Sequence, residues 1–276
     1  MYNYIKRYKF KPYYCNIIKK NGIEKLSNMI VSLLIGRGGS TGLPGKNVMP
    51  LLGRPLMTYP ILAAKNSKFC DKIFLSTDNE EIKKIGRDHK VEIINRPDFL
   101  ATKEALAEDA YIHGYNEIKK IIKEDPEFII LLFCNGCTVL PKHIDEAVEH
   151  LRKDKNLDSA CTVSSYDMWS PLRAKKINSE GKLVSFVPIE YFGEDVNCDR
   201  GSQGQTWYAD CSTFIVRPRC MDKKNGDLPF TWLGKNVHPI KQWGGLDIDY
   251  DWQVPVAEYW LKSHGFSNLK TPYDPS

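Results

Sequence analysis

Long apolar runs are missing from this sequence. No stretch approaches the roughly twenty apolar residues that a membrane-spanning helix needs, and the Tyr- and Lys-rich start has no apolar core of a signal peptide. We therefore expect a cytoplasmic protein without a membrane partner. An excess of one charge is missing too, since 39 Lys and Arg stand against 34 Asp and Glu, a net charge of +5. Such a mild and scattered charge argues against nucleic-acid binding and is compatible with a small anionic substrate.

Cysteine and histidine are present, but not at the spacings of a disulfide scaffold or a metal site. Eight cysteines in 276 residues do not indicate a disulfide-rich domain. Cys134 and Cys137 form a C-x-x-C pair, and no second pair lies at zinc spacing. Because the pair follows the apolar run 128–133, a redox motif is one interpretation; we favour two small residues at a strand end beside a pocket.

Glycine is concentrated in one stretch, 35–47, which reads I-G-R-G-G-S-T-G-L-P-G-K-N. It follows the apolar run Met29–Leu34, which we predict to be a buried strand. Five glycines prevent a regular helix or strand and let backbone N–H groups approach a ligand closely. Because Arg37, Ser40 and Lys46 lie in the same loop, the stretch predicts a polyphosphate site at a strand end. The alternative is a plain surface turn, which has no need of two cations.

Two familiar phosphate loops do not fit this stretch. The Rossmann fingerprint G-x-G-x-x-G fits Gly36 and Gly38, but Thr41 stands in place of the third glycine and the later acid is missing. The Walker loop G-x-x-x-x-G-K-[ST] fits Gly45 and Lys46, but its first glycine and its final hydroxyl residue are replaced. We reject both assignments.

The order of the patterns predicts an α/β fold. Strand-length apolar runs alternate with segments of helical periodicity, which is typical of a three-layer sandwich around a largely parallel sheet. Between 166 and 204 two short β-like runs flank a Ser-Glu-Gly turn, so we expect a β-hairpin excursion there. We divide the chain into a basic leader (1–28), one domain (29–265) and a C-terminal tail (266–276). For the leader, a disordered arm, a surface helix and a stretch upstream of a natural start at Met29 all stay open.

Individual elements can be assigned from the same patterns, and the region 223–245 is predicted to be rich in loops. The predicted strands are Met29–Leu34, Lys72–Ser76, Val91–Asn95, Glu127–Phe133, Ser159–Ser164 and Trp207–Val216, and the predicted helices are Ala105–Lys123, Pro141–Arg152 and Trp252–Lys262.

Asp78 follows the second predicted strand, at the sheet edge where open α/β proteins bind ligands. Asp78 or Asn79 is equally suited to cap the helix that begins near Glu80. For Asp78, ligand contact and capping therefore both stay open.

A pair of acids near the end of the chain is the second strong signal. Asp247 and Asp249 flank Ile248 in G-G-L-D-I-D-Y-D-W. On a strand, residues i and i+2 point to the same side, and Ile248 would point into the core. Two adjacent carboxylates repel unless a cation lies between them, which suits Mg²⁺ held together with substrate phosphate oxygens. An ordinary exposed loop is the alternative, because D-x-D is a common pattern.

Taken together, the motifs resemble the acylneuraminate cytidylyltransferase family, the CMP-sialic acid synthetase type. The glycine loop matches R-x-G-S-x-G-x-x-x-K-N. Further pieces follow in the family's order: G-R-P-L at 53–56, S-T-D-N-E-E at 76–81, R-P-x-x-L-A at 96–101 and D-I-D-Y-D-W at 247–252. Five ordered motifs across 29–262 are far more specific than any one of them.

This resemblance implies a Rossmann-like nucleotidyltransferase fold, usually a homodimer in which the 166–204 excursion reaches the partner subunit. It implies attack by an acceptor oxygen on the α-phosphorus of CTP, with pyrophosphate leaving. Asn47 would lie near the acceptor and the ribose, and Asp247 and Asp249 would bind Mg²⁺. The residues implied for catalysis are Arg37, Lys46 and Asp249, and those implied for nucleotide binding are Arg37, Gly38, Gly39, Ser40, Gly42, Lys46, Asn47, Asp78 and Arg96.

The acceptor side departs from the family pattern. After the central strand the sialate enzymes carry L-Q-P-T-S-P-L-R, whereas this chain has L-F-C-N-G-C-T-V at 132–139. Phe133 replaces the glutamine and Val139 the arginine, at positions that lie near the acceptor pocket in the family. We expect an anionic acceptor, most simply a 2-keto sugar acid like sialic acid, with a phosphonate as the alternative. The acceptor contacts are assigned to Asn135, Lys176 and Gln203.

Two other functions stay open. Sugar-1-phosphate nucleotidyltransferases that use UTP or GTP carry a loop resembling G-x-G-x-R followed by a P-K pair, and the loop of this chain differs from it. A catalytically silent nucleotide-binding or regulatory protein on the same fold would be expected to lose Lys46 or the carboxylate pair, and neither is lost.

Overall fold

The computed structural model describes residues 28–40, 42–166, 169–192 and 195–274 of the chain. The predicted basic leader lies outside these ranges except for its last residue. No helix in the described part is both long and apolar enough to span a membrane.

The described strands are β1 (Ile30–Ile35), β2 (Pro50–Leu51), β3 (Arg54–Pro55), β4 (Lys72–Thr77), β5 (Glu92–Asn95), β6 (Phe128–Phe133), β7 (Ser159–Ser165), β8 (Lys175–Ile177), β9 (Leu183–Ser185), β10 (Trp207–Val216) and β11 (Val237–Gln242). The described α-helices are α1 (Thr58–Asn66), α2 (Glu80–Asp88), α3 (Ala107–Ile122), α4 (Pro141–Lys153) and α5 (Gln253–Ser263).

Seven of these strands form a mixed sheet in the order β11-β7-β10-β6-β1-β4-β5. β1 pairs in parallel with β4 and β6, β4 with β5, and β11 with β7. β10 runs antiparallel to both β6 and β7. The central strands β1 and β6 are nearly continuous apolar runs and almost wholly buried, as expected where both faces of a sheet are covered.

Helices cover both faces of the sheet. On one face, Ile61 of α1 and Ile144 of α4 belong to the same buried cluster as Leu34 of β1. On the other face, Tyr111 of α3 is clustered with Leu33, the next residue of the same strand. Successive strand residues thus face opposite layers. The predicted three-layer α/β sandwich is confirmed.

The predicted loop-rich region 223–245 contains one strand, β11, that was not predicted from the sequence. Of this strand, Ile240 is fully buried, whereas Pro239 and Lys241 are exposed. β11 lies at the edge of the sheet, where one side has no neighbouring strand and a proline is tolerated. An edge strand buries too few side chains to produce the apolar pattern that sequence analysis depends on.

The predicted hairpin excursion is present as the antiparallel pair β8 and β9, which forms a small sheet of its own. Gly181 in its turn has a φ of +77°, a left-handed conformation that favours glycine. Ile177 and Leu183 pair across the hairpin and each is 72% exposed. The excursion therefore carries apolar side chains that the rest of the chain does not bury.

The predicted C-terminal tail is not free of the domain. Phe266 is buried, with its ring centroid 5.6 Å from that of Tyr59 and 5.7 Å from that of Tyr273. The Leu269 N–H donates to the Leu52 carbonyl at 2.9 Å. Aromatic packing thus attaches this segment to α1, and backbone hydrogen bonding attaches it to the turn between β2 and β3.

Candidate active site

Three parallel strands, β4, β1 and β6, end side by side at one edge of the sheet. The glycine loop begins at Gly36 after β1, Asp78 directly follows β4, and Asn135 lies two residues beyond β6. The Gly36 N–H donates to the Ser76 carbonyl at 3.2 Å, so the strands stay paired up to the start of the loop. Loops at the carboxyl ends of the strands form the ligand crevice of open α/β sheets.

A cavity of about 410 Å³ lies at this edge. Its walls combine charged and polar side chains from the loops with small and apolar side chains from 100–110 and from the end of β6. Such a lining suits a ligand that is anionic in one part and flat and apolar in another. The polar lining is Arg37, Ser40, Lys46, Asn47, Arg96, Asn135, Asp247 and Asp249. The apolar lining includes Leu100, Ala105, Leu106, Ala107, Ala110 and Phe133.

Two glycines of the loop are required by close approach. A Cβ on Gly42 would lie 2.6 Å from the backbone oxygen of Asp249, and one on Gly38 would lie 2.7 Å from Nδ2 of Asn79. The loop therefore packs against the acidic segment at the end of the chain on one side and against the start of α2 on the other. Larger residues would separate these parts of the site.

Asp78 and Asn79 have different roles. The Asn79 side chain accepts a hydrogen bond from the Ile82 N–H at 3.0 Å and caps α2. Asp78 accepts from the Gly38 N–H at 3.1 Å. Asp78 is not among the cavity-lining residues, so it holds the glycine loop in place from behind.

The loop brings two cations and an amide to the cavity. Lys46 forms an ion pair with Asp249, and Arg37 donates to the Thr102 carbonyl. Asn47 is buried and donates through Nδ2 to the Arg37 carbonyl at 3.1 Å. Among the described residues, its Oδ1 has no hydrogen-bond partner. A buried amide oxygen without a partner is costly, and this one belongs to a residue that lines the cavity.

Arg96 supplies a third cation from the segment after β5. Its guanidinium donates to the Ser76 carbonyl at 2.6 Å and to the Ser76 hydroxyl at 3.3 Å. Burial lowers the pKa of Arg96, but an arginine this far above neutrality stays protonated. Since a guanidinium has five N–H donors, further donors are available to a ligand in the cavity.

The acids Asp247 and Asp249 lie together in the cavity, but the segment that carries them is not a strand. The Ile248 N–H donates to the Asn135 carbonyl at 3.0 Å, and Nδ2 of Asn135 donates to the Ile248 carbonyl at 3.0 Å. Ile248 is fully buried. The strand geometry used to argue the placement of the acids is therefore not present, and their side chains still share the cavity because Asn135 holds the peptide groups of Ile248.

The carboxylate pair fits a hard divalent cation. Burial, followed by the charge of Asp249, raises the pKa of Asp247 to about 6, although Lys46 and Asn135 lower it. Lys46 already pairs with Asp249. A divalent cation bound between the two carboxylates would further reduce the repulsion between them. Within the described residues no group of three or more His, Cys, Asp or Glu could hold a metal alone. The remaining ligands would be water and phosphate oxygens, as is usual for Mg²⁺.

Five residues assigned from the sequence lie outside the cavity lining: Gly38 and Asp78, which contact each other behind the loop, and Gly39, Lys176 and Gln203. Gly39 belongs to the loop but does not line the cavity. Lys176 lies on β8, and Gln203 donates to the Asn197 carbonyl at 2.9 Å while accepting from Arg173 at 3.3 Å. Lys176 and Gln203 belong to the excursion, which forms its own sheet and loop, and neither residue lines the cavity of this chain.

Asn135 and Thr138 hold the segment that carries Asp247 and Asp249, a role that the sequence did not indicate. Asn135 was assigned to the acceptor, but its amide contacts the carboxylate segment. The Thr138 hydroxyl bonds the Leu246 N–H at 2.8 Å and its carbonyl at 2.9 Å, and lies 2.7 Å from the Ser212 hydroxyl. The available signal was their position directly after the central strand, where side chains meet the ligand edge.

The C-x-x-C pair is not a reactive dithiol. Cys134 and Cys137 are both fully buried. Burial raises the pKa of each thiol to about 12. Because the thiolate is the nucleophile and metal ligand, these cysteines act as small packing residues, as favoured above.

Residues 31–178, just over half of the 276 residues, match the family model described as cytidylyltransferase. The chain belongs to the cytidylyltransferase family. The resemblance inferred from the ordered motifs is thereby confirmed.

Curated relatives are similar over a larger part of the chain. N-acylneuraminate cytidylyltransferase A of Danio rerio is 30% identical over 260 residues, which cover 90% of this chain and 54% of that protein. CMP-N,N'-diacetyllegionaminic acid synthase of Legionella pneumophila is 31% identical over 161 residues, which cover 56% of this chain and 66% of that protein. The chain spans about half the length of the curated relatives it matches, with values from 27% to 66%.

Solved structures share the fold at low identity. A CMP:2-keto-3-deoxy-manno-octonic acid synthetase complexed with CTP is 14% identical with a TM-score of 0.61, covering 85% of this chain and 99% of that one. A 4-diphosphocytidyl-2C-methyl-D-erythritol synthase from Anaerococcus prevotii is 12% identical with a TM-score of 0.56, covering 85% and 97%. At these identities the likeness supports the Rossmann-like fold alone.

Proposed function

We propose that the protein transfers a cytidylyl group from CTP to an anionic sugar acceptor, most simply a 2-keto sugar acid, and releases pyrophosphate. The observation that carries this proposal is the presence of Lys46 and Asp249 in one cavity at the carboxyl ends of the parallel strands. Cations from the start of the domain and acids from its end are then directed at one nucleotide. The names of the relatives, all CMP-sugar synthetases or cytidylyltransferases, support the same reaction.

In the proposed reaction an acceptor hydroxyl attacks the α-phosphorus of CTP. The bond to the oxygen that bridges to the β-phosphate breaks, pyrophosphate leaves with the electron pair, and the hydroxyl proton is released. Arg37 and Lys46 neutralise the triphosphate and the departing pyrophosphate, while the N–H groups of the glycine loop approach the same oxygens. The protein's contribution is positioning and charge, with little covalent chemistry of its own.

Two further groups fit the rest of a nucleotide. Oδ1 of Asn47, which has no partner within the described residues, would accept from a sugar hydroxyl. Arg96 and the apolar residues of 100–107 form a wall that would receive the base, since a flat base needs an apolar surface and a few polar contacts.

Asp247 and Asp249 would hold Mg²⁺ together with phosphate oxygens. Bound there, the ion would neutralise charge on the phosphoryl groups and align the leaving group. The chain's own part is to hold two carboxylates beside Lys46, so that negative charge accumulates at one point of the cavity.

The acceptor side is more apolar than in the sialate pattern. Phe133 lines the cavity, with its ring centroid 5.6 Å from that of Tyr111 and 6.1 Å from that of Phe214. Those neighbours fix the ring, so the wall it contributes is rigid. An acceptor with an apolar group at this point is favoured over one that is hydroxylated there.

The protein is further proposed to act as a homodimer. The apolar side chains exposed on the excursion, Ile177 and Leu183 among them, would then be covered by a second copy. In that arrangement Lys176 and Gln203 would be placed near the cavity of the partner subunit, which would account for their position outside this one.

The test is pyrophosphate release by the purified protein with CTP, Mg²⁺ and a panel of 2-keto sugar acids and phosphonates. Release that requires CTP and one 2-keto sugar acid supports the proposal. Release with UTP or GTP and a sugar phosphate would instead indicate a sugar-1-phosphate nucleotidyltransferase, and release with a phosphonate alone would change the acceptor class.

A further inference from the structure

Asn135 contacts every part of the acidic segment. Its carbonyl accepts from the Ile248 N–H, and its Nδ2 donates to the Ile248 carbonyl, both at 3.0 Å. The same Nδ2 lies 3.2 Å from Oδ2 of Asp247 and 3.5 Å from Oδ1 of Asp249. One side chain thus meets the backbone between the two acids and an oxygen of each acid.

An amide is well suited to this position. The carboxylates of Asp247 and Asp249 are two positions apart in the chain and repel each other. Because their segment is not a strand, it has no regular backbone hydrogen bonds that would fix the two side chains. An NH₂ group is a donor with two hydrogens and no net charge. Its two hydrogens are shared among the Ile248 carbonyl and one oxygen of each carboxylate, with the closest contact at the carbonyl. Because the amide is neutral, it orients the acids without supplying the positive charge that Lys46 supplies at Asp249.

The segment has an independent attachment one step earlier in the chain. Thr138 bonds both the N–H and the carbonyl of Leu246, at 2.8 and 2.9 Å. Loss of the Asn135 side chain would leave this attachment in place, and the backbone bond from the Ile248 N–H to the Asn135 carbonyl would also remain. The two residues can thus be separated experimentally: Thr138 holds the segment, and Asn135 also orients its acids.

We propose that Asn135 is a positioning residue that orients Asp247 and Asp249 for one divalent cation. The inference rests on the proposed function, because it assumes that the carboxylate pair is a metal site. It goes beyond that function by assigning the orientation of the pair to an amide on the turn after β6, in place of the neighbouring strand that a D-x-D pair on a sheet would have. Residues that orient metal ligands typically change metal affinity about 10–100-fold when they are removed.

The test measures metal binding directly, with Mn²⁺ as the probe, by electron paramagnetic resonance and by the shift in melting temperature, with and without CTP. Asn135→Ala is expected to weaken Mn²⁺ binding about tenfold or more. Thr138→Val is the matched control: it is expected to lower the melting temperature and to change the Mn²⁺ Kd less than threefold. If Asn135→Ala does not fold, Asn135→Ser carries the test, since its side chain is too short to reach both carboxylates.

Unchanged Mn²⁺ affinity in the Asn135 variant would overturn the inference, and so would equal losses in the Asn135 and Thr138 variants. Failure of the unmodified protein to bind Mn²⁺ would also overturn it. The outcome is separable from that of the proposed function. If the protein releases no pyrophosphate with any acceptor but Asn135→Ala still weakens Mn²⁺ binding relative to Thr138→Val, the proposed reaction is wrong and the role of Asn135 stands.

Discussion

Lys46 and Asp249, which stand 203 positions apart in the chain, form an ion pair inside one cavity. The pair joins the glycine loop to the acidic segment, and the close approach of Gly42 to the Asp249 carbonyl joins the same two parts through the backbone. In the proposed reaction both side chains exchange partners, Lys46 for a phosphate oxygen and Asp249 for the divalent cation. Without substrate, the ion pair therefore keeps the glycine loop and the acidic segment next to each other.

Removing a loop cation is expected to lower turnover without unfolding the protein. Arg37→Ala or Lys46→Ala should reduce kcat about 10²–10³-fold, by analogy with the loss of other preorganised donors. Lys262→Ala is the matched control, because Lys262 pairs with Glu258 on the exposed side of α5 at 2.6 Å. Initial rates and melting curves of the three variants check this. Near-normal turnover in the Arg37 and Lys46 variants would remove the loop from the mechanism.

Neutralising Asp247 is expected to stabilise the fold while removing activity. The pKa of this carboxyl is about 6 in the folded protein against 3.8 for the ordinary group, so its ionised form is disfavoured by folding. The cost is absent below pH 3.8 and complete above pH 6. At about 1.36 kcal/mol per pKa unit, Asp247→Asn should gain up to about 3 kcal/mol at pH 8 without metal and almost nothing at pH 4.

Urea unfolding at the two pH values, in the presence of a chelator, measures the effect of Asp247→Asn. Asp251→Asn, an exposed acid of the same loop, is the control and should change the free energy of unfolding by less than about 1 kcal/mol. A destabilised Asp247 variant at pH 8 would show that the carboxylate is already compensated in the folded state, and would contradict the proposal that the pair binds a divalent cation.

Phe133 is expected to affect the acceptor more than the nucleotide. Phe133→Gln introduces the residue of the sialate pattern and removes a rigid apolar wall, so kcat/KM for the preferred acceptor should fall about 10-fold or more. Phe133→Leu keeps the wall apolar and should retain most of the activity. Steady-state kinetics with each substrate varied in turn separate the two effects. A rise in KM for CTP with the acceptor KM unchanged would place Phe133 at the nucleotide instead.

The exposed apolar face of the hairpin is expected to mediate self-association. Ile177→Glu or Leu183→Glu places a charge where each side chain is 72% exposed and should convert the dimer to monomer. Leu228→Glu is the control, since Leu228 is 86% exposed outside the excursion. Light scattering after size-exclusion chromatography gives the mass directly. A dimer that survives both hairpin substitutions, or a wild-type monomer, would rule out this surface as the interface.

The parts of the site that the sequence predicted are those with local patterns. The apolar run of β1 and the glycines after it can be recognised without tertiary information, because a buried parallel strand and a tight loop each require particular residue types. The placement of Arg37, Ser40 and Lys46 at the cavity follows from their position in that loop. The alternation at 247–249 placed both acids at the cavity, as the structure has them. The cause is not a strand but the hydrogen bonds between Ile248 and Asn135.

The parts that the sequence did not predict depend on distant contacts. Nothing local indicates that Asn135 reaches Asp247, because 112 positions separate them. β11 buries one side chain fully and so has no apolar signature. The apolar wall at 100–107 consists of ordinary Leu and Ala residues whose role arises from the turn into α3. Lys176 and Gln203 were assigned through their position in the family pattern. They lie on the excursion and do not line the cavity of this chain.

The most direct measurement is pyrophosphate release with each nucleoside triphosphate in turn, in the presence of Mg²⁺ and a panel of 2-keto sugar acids and phosphonates. We expect release with CTP and a 2-keto sugar acid, its loss on chelation of the metal, and little release with UTP, GTP or ATP. Equal release with all four nucleotides, or none with any acceptor, would contradict the claim that the loop cations and the paired acids serve one cytidine nucleotide.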